Sequence, residues 1–229
     1  AAGVAPLSDA VAPGTPMALL TSSAGGLNGL VVVQGTSGAE LRDGPGHQPG
    51  APLPGQPGVS VVMARSTSYG APFGHITSMA KGDPLTAVTG QGTFHYVVED
   101  VRRPGDPFPP ALAPGGSQLT LVTAEGGGWR SGWAPTNAVF VDLVLKGSSQ
   151  IPPGTTGVPS GADGVLTHDT SGLYPLVLWL QLLAVAVVGG LWARARWGHW
   201  QSWLVVGPVV VTALWAATSN AWLLLPNLL

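Results

Sequence analysis

Apolar residues occur along this chain in two regimes. Up to about residue 147 they come as short runs rich in β-branched and aromatic side chains: Leu30–Gln34, Val59–Ala64, Leu85–Thr89, Thr93–Val98, Gln118–Thr123 and Ala138–Leu145. Glycine, proline or small polar residues bound each run, the signature of strands joined by turns. Within Thr93–Val98 the apolar Phe94, Tyr96 and Val98 alternate, so His95 is expected on the opposite face of its strand. Gly90-Gln91-Gly92 supplies the hairpin turn before it. Residues 1–26 are weakly patterned and suit an extended lead-in, with Met17–Leu20 as a candidate edge strand.

After residue 172 the period changes. Residues 173–193 and 202–225 are two apolar stretches, each long enough to cross a hydrocarbon core of about 30 Å as a helix. The turn between them, residues 194–201, holds Arg194 and Arg196, the two basic side chains of the hairpin. By the positive-inside rule that turn is expected in the cytoplasm, with the strand-rich part and the C-terminus outside. Trp192, Trp197, Trp200 and Trp203 suit an aromatic belt at the inner interface, and Tyr174, Trp179 and Trp222 one toward the outer. Polar groups in lipid need partners. Gln181 lies at about the depth of Thr218 and Ser219, which suggests a hydrogen bond within the hairpin; alternatively Gln181 and Asn220 face another membrane subunit.

The segments between the strands are rich in breakers. Residues 43–58 (DGPGHQPGAPLPGQPG) are too rich in proline and glycine for a helix. Ile76–Gly82 suits a short helix and turn with Asp83 as a turn acceptor, and Arg102–Pro110 a stiff proline-rich crossover whose Phe108 either docks a partner or merely caps a surface connection. Residues 148–172 lack periodic hydrophobicity and suit a linker. The expected plan is therefore a lead-in (1–26), a β-barrel (27–147), a linker (148–172) and a membrane hairpin (173–229).

Composition narrows the function. With 34 Gly and 22 Pro the chain approaches low-complexity disorder, but the strand runs argue for a barrel with long loops. There is no cysteine, which excludes disulfides and thiolate chemistry, and a net charge of −2 gives no basis for nucleic-acid binding. His47, His168 and His199 fall in a loop, a linker and a membrane turn, without metal-ligand spacing, and nothing calls for a cofactor.

Two motifs carry a family resemblance. Leu119-Thr120-Leu121-Val122-Thr123-Ala124 resembles the active-site strand of the sortases, transpeptidases of Gram-positive cell surfaces, whose Thr-Leu-x-Thr-Cys ends in the nucleophile. Tyr69-Gly70-Ala71-Pro72-Phe73 resembles the segment after the catalytic histidine, especially in actinobacterial, class E-like members. The resemblance runs from about Leu27 to Gly147 and implies a closed barrel of seven or eight strands. High Gly, Ala and Pro agree with a GC-rich actinobacterial source.

It also implies where the chemistry would lie, and there the chain departs. Ala124 stands at the cysteine, Arg65 at the histidine and Asn137 at the arginine of the oxyanion site, with Arg130 a few residues away. Sortase chemistry needs a thiolate, an acid and an oxyanion donor. A methyl group cannot attack, and arginine does not exchange a proton near neutral pH. His75 falls about ten residues after the expected histidine, and neither Thr123 nor Ser66 has a base placed by a motif. The expectation is a degenerate sortase-like binding module, an accessory subunit of a surface complex. Its former groove would be framed by Arg65, Ser66, Tyr69, Thr123, Ala124, Glu125, Trp129, Arg130 and Trp133, open to a peptide or a neighbouring protein. The alternatives are a sortase inactivated by engineering and a stand-alone receptor for wall peptides.

Overall fold

The structure, a computed structural model, describes residues 11–125, 137–150, 173–197 and 199–222. Among them eight strands close into a barrel: β1 (Pro16–Ser22), β2 (Leu27–Gln34), β3 (Gly46–His47), β4 (Gly58–Met63), β5 (Pro84–Thr89), β6 (Gly92–Arg102), β7 (Ser117–Glu125) and β8 (Asn137–Leu145). They pair in the order β1-β2-β3-β4-β7-β8-β6-β5, and β5 returns to β1. The β2–β3 and β4–β7 pairs are parallel and the others antiparallel.

Alternation along each strand builds the core. Leu20, Val32, Val62, Leu85, Ala87, Phe94, Tyr96, Leu119, Leu121, Val141 and Leu143 point into the barrel and pack with Phe73, Ile76 and Met79 from the β4–β5 connection. At one end of the barrel the buried Tyr96 hydroxyl accepts from the Gly55 amide at 2.7 Å and meets Ser117 Oγ at 3.0 Å, so its polar tip is satisfied.

The sequence reading differs from this architecture in three places. The barrel starts at Pro16 rather than residue 27. Met17–Leu20 belongs to no edge, because β1 is paired with β2 on one side and β5 on the other. The proline-rich stretch after residue 43 holds β3, whose two residues bridge β2 and β4, preceded by the single helical turn α1 (Glu40–Asp43). Two residues carry no readable period. Finally, β6 continues past Val98 to Arg102 because an irregularity between Val98 and Asp100 shifts the register and breaks the alternation. Ile76–Ser78 forms a 3₁₀ turn, and Asp83 Oδ2 accepts from the Ala80 amide at 2.8 Å, as a turn acceptor should.

The C-terminal unit is a helical hairpin of α2 (Leu173–Trp197) and α3 (His199–Trp222). α2 extends to Trp197 and α3 begins at His199, so the described residues of the stretch expected as a connecting turn are helical, and Arg, Ala, Trp and Gln there are compatible with helix. Among the described residues one helix, α2 over Leu173–Arg196, is long and apolar enough to cross a membrane. The helices approach closely at Gly190, where an added Cβ would lie 2.9 Å from Val206 Cγ1. Pro208 removes one amide from the α3 ladder, and Thr212 Oγ1 donates to the Pro208 carbonyl at 2.8 Å.

Candidate binding site

The site is built on the parallel pair β4 and β7. Met63 lies beside Val122, and the pairing continues past the end of β4, where the Ala64 amide donates to the Val122 carbonyl at 3.1 Å. Thr123 Oγ1 donates to the Ala64 carbonyl at 3.0 Å. These contacts fix residues 64 and 65 against the end of β7.

Alternation then sorts the side chains. Leu119, Leu121 and Thr123 face the barrel interior, while Gln118, Thr120, Val122 and Ala124 take the outer face. Thr123 is fully buried with its hydroxyl committed, so it is no part of a groove, contrary to the expectation that placed it there. On the outer face Leu41 of α1 packs over Met63, Val122 and Ala124, with Val61 and Phe140 around them. Ala124 is 4% exposed. The position expected at the floor of an open groove is occupied by a small apolar cluster.

Arg65 is equally committed. It is 1% exposed, its Nε donates to the Leu41 carbonyl at 3.2 Å and its Nη2 to the Gly38 carbonyl at 3.3 Å. Its Nη1 lies 3.5 Å from Ser68 Oγ, and the Tyr69 ring sits 5.1 Å from the guanidinium carbon. Burial pulls this guanidinium below the ordinary arginine value, Tyr69 opposes the shift and Arg42 adds to it. Arg65 thus ties the segment around α1 to the barrel. Ser66 is half-buried and Tyr69 exposed. Tyr69, Gly70 and Ala71 have successive φ values of 49°, 85° and 47°, a left-handed turn that only glycine adopts without strain. The Phe73 amide then donates to the Arg65 carbonyl at 3.1 Å and closes the loop.

Beyond Ala124, Glu125 receives two hydrogen bonds from Arg103, at 2.7 Å from Nε and 3.2 Å from Nη2. Arg103 holds the Glu125 carboxyl below its ordinary value. Asn137 pairs with Glu125 across β7 and β8 and is exposed. Trp129, Arg130 and Trp133 lie outside the described residues. The histidines lie elsewhere. His75 is exposed ahead of the 3₁₀ turn; His95 is exposed opposite Phe94 and Tyr96; His47 is buried between Gln34 Oε1 (3.0 Å) and the Pro52 carbonyl (3.1 Å).

A second cluster on the same outer face was not legible as a site. Asp142 of β8 accepts from Arg102 Nε and, at 3.2, 3.0 and 2.8 Å, from Arg102 Nη2, Gln118 Nε2 and Thr120 Oγ1. Arg102 also lies between two rings, 5.1 Å from Phe140 and 5.9 Å from Phe108, which is 90% exposed. A recess of about 520 Å³ adjoins this cluster, walled by Lys81, Glu99, Asp100, Asp142, Pro109 and Pro110. The available signal was Asp142 itself, the lone charge in the apolar run 138–145, which requires a buried partner.

Comparison with known families decides what the barrel is. The family model described as Sortase domain matches residues 26–134. The barrel belongs to the sortase family. The match omits β1 and β8, yet both are hydrogen-bonded into the sortase barrel. Similar solved structures include sortase E from Streptomyces avermitilis, 24% identical with a TM-score of 0.48, covering 61% of this chain and 93% of that one. A sortase D5 transpeptidase of Clostridium perfringens is 21% identical with a TM-score of 0.49, covering 60% of this chain and 82% of that one. Sortase A from Corynebacterium diphtheriae is 23% identical with a TM-score of 0.49, covering 58% and 61%. Comparison with curated proteins returns no match.

In the helical hairpin the polar side chains do not meet as expected. Thr218 Oγ1 donates to the Trp215 carbonyl at 2.8 Å, Ser219 Oγ to the same carbonyl at 2.9 Å and Asn220 Nδ2 to the Ala216 carbonyl at 2.8 Å. These groups are satisfied within α3. Gln181 is exposed on α2 and takes no part in those bonds.

Proposed function

We propose that this sortase domain has no transpeptidase activity and serves as a binding and assembly module, an accessory subunit of a membrane-anchored complex at the cell surface. The observation that carries this reading is the condition of positions 65 and 124. A sortase needs an accessible sulfur and a proton-exchanging imidazole at those points; this chain has a methyl group under Leu41 and a guanidinium bonded to two backbone carbonyls. The surrounding packing suits the residues present, so loss of chemistry here is part of a repacked site rather than a single exchange. Among the described residues a concavity lies open on the outer face beside Arg102 and Asp142, and a partner or peptide would bind there rather than over Ala124.

In this reading both α2 and α3 cross the bilayer. The turn carrying Arg194 and Arg196 lies in the cytoplasm, and the barrel stands outside. Gln181, exposed on α2, then faces a neighbouring membrane subunit.

The test is restoration. Ala124→Cys alone, and Ala124→Cys with Arg65→His and Asn137→Arg, are assayed for cleavage of a sorting-signal peptide. No cleavage by the single variant supports the proposal. Cleavage by the single variant overturns it and identifies an engineered sortase. A native-membrane pull-down that returns no partner would replace the accessory subunit by a stand-alone receptor for wall peptides.

A further inference from the structure

The two arginines at the end of α2 are placed differently. Arg196 lies over the Trp192 ring, 5.9 Å from its centroid. Arg194 instead lines a cleft of about 290 Å³ between α2 and α3, whose other walls include Gly190, Leu191, Trp203, Val206 and Gly207. Apart from that guanidinium the cleft is apolar, opened by the small glycines of the two helices.

Two features bear on what can fill it. First, residues 170–229 contain no Asp or Glu, so no acidic side chain of the hairpin can balance Arg194, and a counter-charge would have to come from outside. Second, the rest of the lining is aliphatic, aromatic and glycine, a surface that suits a slender hydrocarbon chain. The guanidinium fork favours phosphate, which it binds through two parallel hydrogen bonds.

We propose that this cleft is a binding site for an anionic phospholipid, with the phosphate on Arg194 and one acyl chain lying between α2 and α3 against Gly190 and Gly207. Trp203 flanks the site where an indole is favoured, at the boundary of headgroup and tail. The proposal rests on the membrane reading of the hairpin given above and is independent of whether the barrel is catalytic.

The full chain in detergent, supplied with equal amounts of phosphatidylglycerol and phosphatidylcholine, is examined by native mass spectrometry. The one-lipid adduct should favour phosphatidylglycerol by about five-fold, the ratio expected for one basic side chain acting on an anionic lipid. Arg194→Gln should bring the ratio near one, Arg196→Gln should leave it, and Val210→Trp, which fills the cleft, should reduce both adducts. A ratio near one in the unaltered chain, equal effects of the two arginine variants, or adducts unchanged by Val210→Trp would each overturn the site. Displacement of phosphatidylglycerol by inorganic phosphate would overturn the acyl-chain part, since the tail should hold the lipid. The membrane reading has its own check: release of the chain from membranes by alkaline carbonate would refute that reading whatever the lipid ratios.

Discussion

Arg102 and Asp142 form a diagonal pair across β6 and β8, Arg102 lying opposite Phe140 and Asp142 opposite Asp100, with Arg102 Nη2 3.2 Å from Asp142 Oδ1. Asp142 is 1% exposed and Arg102 9%. The same carboxylate accepts from Gln118 and Thr120 of β7, so one side chain joins three adjacent strands.

Asp142→Ala should therefore cost about 3–5 kcal/mol, because it strands a buried guanidinium together with a hydroxyl and an amide. Replacing both members by leucine should recover much of that loss, since the apolar pair leaves no buried charge. Chemical denaturation of the detergent-solubilised chain, followed by near-ultraviolet circular dichroism, would measure both. A loss of under about 1 kcal/mol in Asp142→Ala would mean that solvent reaches the pair.

Arg65→Met should destabilise the barrel without creating any activity. The carbonyls of Leu41 and Gly38 lose their guanidinium donors, each such loss costing about 1–3 kcal/mol. The change should appear locally, as faster amide exchange around α1, read by hydrogen–deuterium exchange.

Burial pulls His47 below its ordinary value, and its bond to the Pro52 carbonyl only partly offsets this. The unfolded chain then binds a proton that the folded chain resists, so stability rises with pH between the two pKa values. The contribution is complete above about pH 6.5 and declines as pH falls toward the folded value. His47→Gln should flatten this slope in a series of thermal midpoints. An unchanged slope would place the titrating group elsewhere.

Gly55→Ala should be among the more damaging single-methyl changes in the domain. Gly55 has φ +97°, and an added Cβ would lie 2.3 Å from the Phe94 ring in the core. Strain and overpacking together should remove about 2–5 kcal/mol. Gly90→Ala, at a turn with open space around it, is the matched control.

Single cysteines are clean probes in a chain that has none. Gln181→Cys should cross-link to a neighbouring subunit in native membranes, whereas Val211→Cys should not. Equal cross-linking at both positions would argue against a specific helix face.

The strands with long, regular alternation were legible: six of them follow from the placing of β-branched and aromatic residues, because packing on a barrel wall imposes the same period. What escaped was short or two-sided. β3 has two residues, too few for a pattern. Along β7 the residues Ser117–Ala124 would read as alternating between one exposed and one buried face, yet all eight are buried, since Leu41 and the Arg102 cluster cover the outer side. Positions 65 and 124 were singled out through their motifs. That the space above them is filled could not be read, because Leu41 comes from a segment distant in sequence whose approach depends on two carbonyls meeting a guanidinium. The expected bond from Gln181 to Thr218 failed for a local reason: hydroxyls in a helix reach their own backbone first.

Pairing of β1 with both β2 and β5 has a practical consequence for anyone trimming this polypeptide. A cut at the start of the conserved-domain match, residue 26, would strip two neighbours of their hydrogen-bonding partner at once, turning a seamless cylinder into an open sheet with two sticky margins. Such a fragment should aggregate rather than fold, and the shortest soluble form of the barrel must begin ahead of Pro16.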